Sequence, residues 1–146
     1  MLNLLSFNKE KIKVLDFAGG TGRCWFTLLP YLHDYSKIQW YVSDQSQKLM
    51  NEGETFASKN NIPSPIFLDA DLINNIDSFD LLYIITSLQY IDKLEDLFNK
   101  LLIGNPTFIV LQKLLISTKE TQRFQQYFGK HTSTKCIYHS ERKLLH

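Results

Sequence analysis

Near the start of the chain, one carboxylate and three glycines stand close together in Asp16-Phe17-Ala18-Gly19-Gly20-Thr21-Gly22. The apolar run Val14 to Phe17 before them reads as a buried strand, and a bulky apolar pattern begins at Trp25. Between the two lies a stretch with almost no side chain. Such a turn bends through dihedrals that a Cβ forbids, and it lets a flat or charged ligand come against the main chain. The helix that follows offers free N–H groups and a partial positive charge. A dinucleotide turn reads G-x-G-x-x-G and faces a pyrophosphate. Here an acidic residue closes the strand, which would repel a pyrophosphate and favour a cationic ligand.

Further carboxylates fall where later strands should end. Asp44 closes "WYVSDQS", the place from which a carboxylate accepts both hydroxyls of a ribose. It could equally cap the helix beginning near Gln45, and the two roles are compatible. Asp69-Ala70-Asp71 follows "IFLDADL", where an adenine edge could be read; loop solvation is the bland alternative. Asp80, early in a strand, reads as structural. Gln89 and Tyr90 fall just past that strand and could touch an acceptor or pack the next helix. His33 reads as a surface residue. His131, His139 and His146 do not have metal-ligand spacing, and no metal site is expected.

Alternating strand-like and helix-like segments must position these groups. Strands are expected at Ile12 to Phe17, Ile38 to Ser43, Ile66 to Leu68, Phe79 to Ile85 and Thr107 to Leu111. Helices are expected from Thr21 to about Leu32, bent or ended by Pro30, and from Gln45 to Asn60 with Leu49, Gly53 and Phe56 on one stripe. A third runs from Asp92 to Leu102, with Asp92 and Glu95 as a capping box, Gly104 as its stop and Asn105-Pro106 closing the turn. A polar helix is expected from about Thr118 to Phe128, and Tyr138 to His146 is ambiguous. Strand-helix alternation implies βαβ units and an α/β fold with a doubly wound, mostly parallel sheet. Residues 1–146 read as one domain, without repeats or linkers.

Composition excludes several classes. The chain has 146 residues, 44% hydrophobic and 21% charged, and a net charge of +1. It is large enough for one core and carries no global field to recruit nucleic acid or a membrane. From Lys119 onward, six Lys/Arg stand against two Glu, a mildly basic tail. Cys24 and Cys136 form neither a disulfide framework nor a zinc site, and Cys24 reads as a small buried hydrophobe. No apolar run is long enough to span a bilayer, and "MLNLLSFNKEKIK" is too short and too soon charged for a signal peptide. A reducing cytoplasm is the expected compartment.

"VLDFAGGTG", "YVSDQS", "IFLDADL" and "FDLLYIITSLQYI", in that order and spacing, resemble the successive cofactor motifs of class I S-adenosylmethionine-dependent methyltransferases. The resemblance covers about Lys11 to Gln112. "TSLQYI" and "FIVLQKLLIS" further resemble a subfamily encoded among genes for bacterial surface polysaccharides. The resemblance implies a Rossmann-like fold, S-adenosylmethionine as cofactor and methyl transfer to a small-molecule acceptor such as a sugar or sugar nucleotide. It implies that Asp16 holds the amino-acid end of the cofactor and that Ala18, Gly19, Gly20 and Gly22 form the turn. Ala18 stands where the family has glycine, and a negative φ is expected there. Asp44, with Gln45 beside it, would bind the ribose, and Asp69 with the Ala70 backbone the adenine. Thr86 would line the methyl side, and Ser87, Gln89 and Tyr90 the acceptor.

No general base is evident. "TSLQY" does not resemble the Asn/Asp-Pro-Pro-aromatic segment of nucleobase amino-methyltransferases, which argues against a nucleic-acid acceptor. The family carries seven strands, so this chain is expected to lack the last strands. That leaves "TFIVL" as an apolar edge for the tail, an oligomer or a partner to cover. Two alternatives follow: an inactive cofactor-binding remnant or subunit, and another nucleotide-binding α/β domain.

Overall fold

The computed structural model describes residues 2–3, 9–69, 78–128 and 132–141. Five strands form one parallel sheet: β1 (Ile12–Phe17), β2 (Ile38–Asp44), β3 (Ile66–Asp69), β4 (Leu81–Ile85) and β5 (Phe108–Gln112). Their order is β3-β2-β1-β4-β5. The chain winds outward from β1 to β3, then returns to lay β4 on the other side of β1. The crevice of such a sheet opens where the order reverses, at the carboxyl ends of β1 and β4.

Three helices cover the sheet: α1 (Arg23–Leu28), α2 (Gln47–Asn60) and α3 (Leu94–Leu101). Side chains alternate along β1, so Ile12 and Val14 join Trp25 of α1, Trp40, Val42 and Leu81 on one face. On the other, Leu15 joins Leu82, Ile84, Leu94 and Leu101. Pro30 follows α1 inside a 3-10 turn, Leu29–Tyr31, because proline supplies no N–H to continue the helix. Ser46 caps α2 by accepting from the Leu49 N–H, and Asn61 ends it at φ 50°. The chain leaves α3 through a 3-10 turn, Leu102–Gly104, whose Gly104 lies against Phe79 so closely that a Cβ would fall 2.1 Å from the ring.

Several expectations are corrected. The stripe that α2 buries is Met50, Gly53 and Ala57, whereas Leu49 and Phe56 are exposed. Gly53 is required there, since a Cβ would lie 2.3 Å from the Thr21 carbonyl oxygen and 2.5 Å from the Phe67 ring. The capping box does not form. Lys93 occupies the N-cap of α3 without a side-chain cap, and Asp92 instead pairs with Arg123 at 2.6 Å. Cys24 is only half-buried.

The segment expected as a helix from about Thr118 to Phe128 contains β7 (Gln122–Phe128), and the ambiguous end lies partly in β8 (Thr132–Ser140). With β6 (Ile116–Ser117) they form a second sheet, ordered β6-β8-β7. The aromatics of "QRFQQYF" fall at positions 124, 127 and 128, a spacing that suits a helix, but its partner strand carries the β-branched Thr134 and Ile137. Cross-strand packing therefore decides the structure, with Phe124 against Tyr138 at 4.5 Å between ring centroids. No further strand joins β5 among the described residues.

Because Gly53 sets how closely α2 approaches the Thr21 carbonyl, Gly53→Ala should lower stability by about 1–3 kcal/mol, the cost of overpacking a tight contact. Urea unfolding measures it, and a change below a few tenths of a kcal/mol would contradict this contact.

Candidate functional site

The turn after β1 is held from three directions. The Gly19 N–H donates to the Ser43 carbonyl at 3.3 Å, and the Gly22 N–H closes the turn on the Gly19 carbonyl at 3.0 Å. The Gly20 N–H donates to Oδ2 of Asp44 at 2.9 Å. Oδ1 of Asp44 accepts the Ser46 N–H at 2.8 Å. One carboxylate thus joins the end of β2, the glycine turn and the entry to α2. Each of its oxygens still has a lone-pair direction to offer a hydroxyl. The glycines are used: Gly20 and Gly22 have φ of 57° and 73°, and a Cβ on Gly19 would fall 2.7–2.9 Å from the Asp16 carboxyl atoms.

Asp16 lies beneath this turn and is 1% exposed. Trp40 Nε1 donates to its Oδ2 at 3.3 Å, while Oδ1 meets no partner among the described residues. Burial pushes its carboxyl up to about 7; the indole hydrogen bond opposes the rise and the nearby charge of Asp44 adds to it. Burial also pushes the Cys24 thiol up to about 11, which leaves it protonated and inert.

Ala18 departs from expectation: its φ is 54°, not negative. The chain keeps the left-handed conformation that suits glycine and bears the strain of a Cβ. Thr86, directly after β4, and Lys113, directly after β5, also have positive φ, 56° and 54°. Three neighbouring strands therefore end in a strained residue on one rim of the sheet, a placement that accompanies functional sites.

Past β4, the 3-10 turn Leu88–Tyr90 carries the other candidates. Ser87 and Gln89 are 8% and 7% exposed, and Ser87 Oγ and Gln89 Oε1 have no partner among the described residues. Tyr90 is exposed and donates to Gln126 Oε1 at 3.2 Å. Thr86, exposed, donates its N–H to the Gln112 carbonyl at 3.1 Å. Asp69 stands at the exposed end of β3, and Gln45 is exposed beside Asp44. Ala70 and Asp71, together with His131 and His146, lie outside the described residues. Asp80 is structural as expected, paired with Lys9 and accepting the Lys13 N–H at 2.9 Å. A groove of about 470 Å³ lined by Thr21, Arg23, Phe26, Thr27, Glu52 and Phe56 shares only Thr21 with the turn.

Two residues escaped the sequence reading. Trp40 falls on the same sheet face as Asp16, which its position in an alternating strand could have indicated. His139 is buried and its Nε2 lies 2.8 Å from the Leu88 carbonyl, pinning the Leu88–Tyr90 turn to β8. No local signal marks it, because the contact joins residues 51 apart.

Two outcomes follow. Ala18→Gly should raise stability by about 0.5–1 kcal/mol, the relief of left-handed strain net of the greater freedom of glycine in the unfolded chain; thermal unfolding measures it. The Asp16 carboxyl is protonated in the fold up to about pH 7 but ionises near 4 when unfolded. The folded state therefore binds the extra proton between those values, and stability should fall as pH rises through that window, by up to roughly 1.4 kcal/mol per pH unit. In Asp16→Asn that fall should vanish; an unchanged slope in urea unfolding would refute the assignment.

The sequence matches no protein-family model and no curated protein. Solved structures do resemble it. A S-adenosylmethionine-dependent methyltransferase from Clostridium acetobutylicum superposes with a TM-score of 0.61 at 17% identity, over 96% of this chain and 72% of that one. A S-adenosylmethionine-dependent methyltransferase from Mesorhizobium loti gives 0.60 at 16%, over 97% and 74%. Coclaurine N-methyltransferase, bound to N-methylheliamine and SAH, gives 0.69 at 14%, over 99% of this chain. The chain spans 44% of the coclaurine enzyme's length and of that of another neighbour, a bacterial protein. The likeness is one of fold: this chain has the Rossmann-like fold of S-adenosylmethionine-dependent methyltransferases.

Proposed function

We propose that the chain binds S-adenosylmethionine at the carboxyl ends of β1 and β2 and is a methyltransferase acting on a small-molecule acceptor. The observation that carries this reading is the Asp16 carboxyl, buried beneath a glycine turn with no partner for Oδ1 among the described residues. A buried polar oxygen without a partner calls for a donor, and a cationic one would also offset the cost of ionising it. The residues present fit the cofactor: an acid under the turn for its cationic amino-acid end, a turn stripped of Cβ atoms, and Asp44 for its ribose.

When bound, the sulfonium supplies an electrophilic methyl group with a neutral thioether as leaving group. The chain's part is to hold donor and acceptor in line and to exclude water. Asp16 holds the ammonium end and Ala18, Gly19, Gly20 and Gly22 cradle it. Asp44 and Gln45 would accept the ribose, Asp69 and Ala70, the latter outside the described residues, would serve the adenine, and Thr86 would line the methyl side. Ser87, Gln89 and Tyr90 face the acceptor. The acceptor we favour is a sugar or sugar nucleotide of surface-polysaccharide synthesis, supported by the likeness of "TSLQYI" and "FIVLQKLLIS" to that subfamily. The site lies in a cytoplasmic protein on this reading, with β5 covered by a second copy or a partner. Within the described residues, no helix is long and apolar enough to cross a membrane.

Calorimetric titration tests the cofactor. S-Adenosylmethionine and S-adenosylhomocysteine should bind saturably and NAD should not. Asp44→Ala should weaken both by about tenfold to a hundredfold, the loss of one or two hydrogen bonds to a charged group; circular dichroism confirms that the variant is folded. Binding of NAD alone would move the chain to the other nucleotide-binding class. A folded chain that binds none of the three would leave a remnant with the fold and without its ligand.

A further inference from the structure

The main sheet has two outer strands, and they differ. On one side β3 is four residues long, begins directly after Pro65 and ends on Asp69. Shortness, proline and charge are the devices that keep a strand edge from pairing. On the other side β5, "FIVLQ", is one residue longer and has no ionisable residue within it, with Pro106 two residues before it and Lys113 directly after. Its Phe108 and Ile109 are 41% and 43% exposed, on opposite faces of the sheet, and Leu102 and Ile103 just before it are exposed as well. In the second sheet the outer strands are β6, two residues long, and β7, which carries Arg123 beside the exposed Phe124 and Tyr127. Among the described residues, β5 is the outer strand of the main sheet with no ionisable residue of its own.

Its hydrogen-bonding phase can be read from its neighbour. The Phe108 N–H donates to Asp80 and the Gln112 carbonyl accepts from Thr86, both on the β4 side. Residues of a parallel strand alternate, so Phe108, Val110 and Gln112 face β4, while Ile109 and Leu111 turn their N–H and C=O groups outward. Those four outward groups lie symmetrically about Val110. We infer that β5 pairs antiparallel with β5 of a second copy of this chain, about a two-fold axis at Val110. In that register Ile109 stands opposite the partner's Leu111 and exchanges both hydrogen bonds with it. The symmetric pair does the same, so all outward groups are satisfied with four bonds.

Charge agrees with a second copy as the occupant. No residue of "FIVLQ" is ionisable, so the two-fold brings no like charges together along the strand. Lys113, the nearest charge in sequence, falls opposite the partner's uncharged Thr107, at the outer ends of the pair. A parallel pairing would set the two Lys113 side by side. The product is a continuous sheet of ten strands with an isologous interface, which closes and cannot propagate.

Sedimentation velocity over a wide range of protein concentration, with hydrogen exchange at its two extremes, tests the inference. A dimer is expected, with the amides of Ile109 and Leu111 slowed only at high concentration and the Val110 amide slow at both. Ile109→Lys should weaken self-association at least about tenfold. A monomer throughout would overturn the inference. So would a dimer whose Ile109 and Leu111 amides exchange equally fast at both extremes. Protection of those amides that ignores concentration would show a cover from within the chain and overturn it too. The exchange measurement uses the native chain, so a misfolded variant cannot obscure the result, and neither readout depends on any bound ligand.

Discussion

The carboxylate of Asp44 is the joint on which the carboxyl rim of the sheet depends. It accepts main-chain N–H groups from Gly20 and Ser46, one on each oxygen. Bonds to an ionised acceptor contribute more than neutral ones, about 1.5–3 kcal/mol each. Their placement matters as much as their strength. They tie the loop after β1 to the first turn of α2 through the last residue of β2. The glycine turn therefore cannot change shape without moving a helix, and α2 is further keyed to it where Gly53 meets the Thr21 carbonyl. A concave site built on short loops gains its precision from such ties rather than from the loops themselves.

The rim is also where the chain departs from relaxed geometry. Ala18, Thr86 and Lys113 each follow a strand directly and each has positive φ. β-Branched Thr86 in that region is an outlier by local energetics alone. Parallel strands exit on the same side of the sheet, and the turns must diverge sharply to reach helices on opposite faces. The strain is tolerated because the buried apolar sets on both faces hold the strands in register. It coincides with the buried polar atoms that have no partner among the described residues, Asp16 Oδ1, Ser43 Oγ, Ser87 Oγ and Gln89 Oε1.

The parallel sheet was legible in the sequence because its strands are covered on both faces and read as apolar runs. The expected Ile12–Phe17 strand matches β1 residue for residue, and the expected ends of β2 to β5 shift by two residues or fewer. The site was legible to the extent that its residues are local: a glycine turn and acids at strand ends. Three things were hidden. The sign of φ at Ala18 depends on the turn and not on the residue, whose own preference points the other way. Asp92 suits a capping box locally, but a cation 31 residues on claims its carboxylate. The aromatic spacing in β7, at positions 124, 127 and 128, suits a helix, and pairing with β8 overrides it. The last two misses are cases in which a distant partner outweighs local preference, and the first is one in which the turn outweighs the residue.

Asp16 has a consequence for how the protein can be observed. Its Oδ2 takes the indole N–H of Trp40, whose ring lies 5.8 Å from Trp25 and 5.7 Å from Tyr83 between centroids. These are the chain's two tryptophans. The whole indole emission of the protein thus arises from one buried cluster in which a single ring is hydrogen-bonded to the titrating carboxyl. Ionisation of that acid places a full charge against one of the two indoles. The protein carries a native optical reporter of the charge state beneath its glycine turn in Trp40, while Trp25, whose indole N–H donates to the Pro63 carbonyl, supplies the reference beside it.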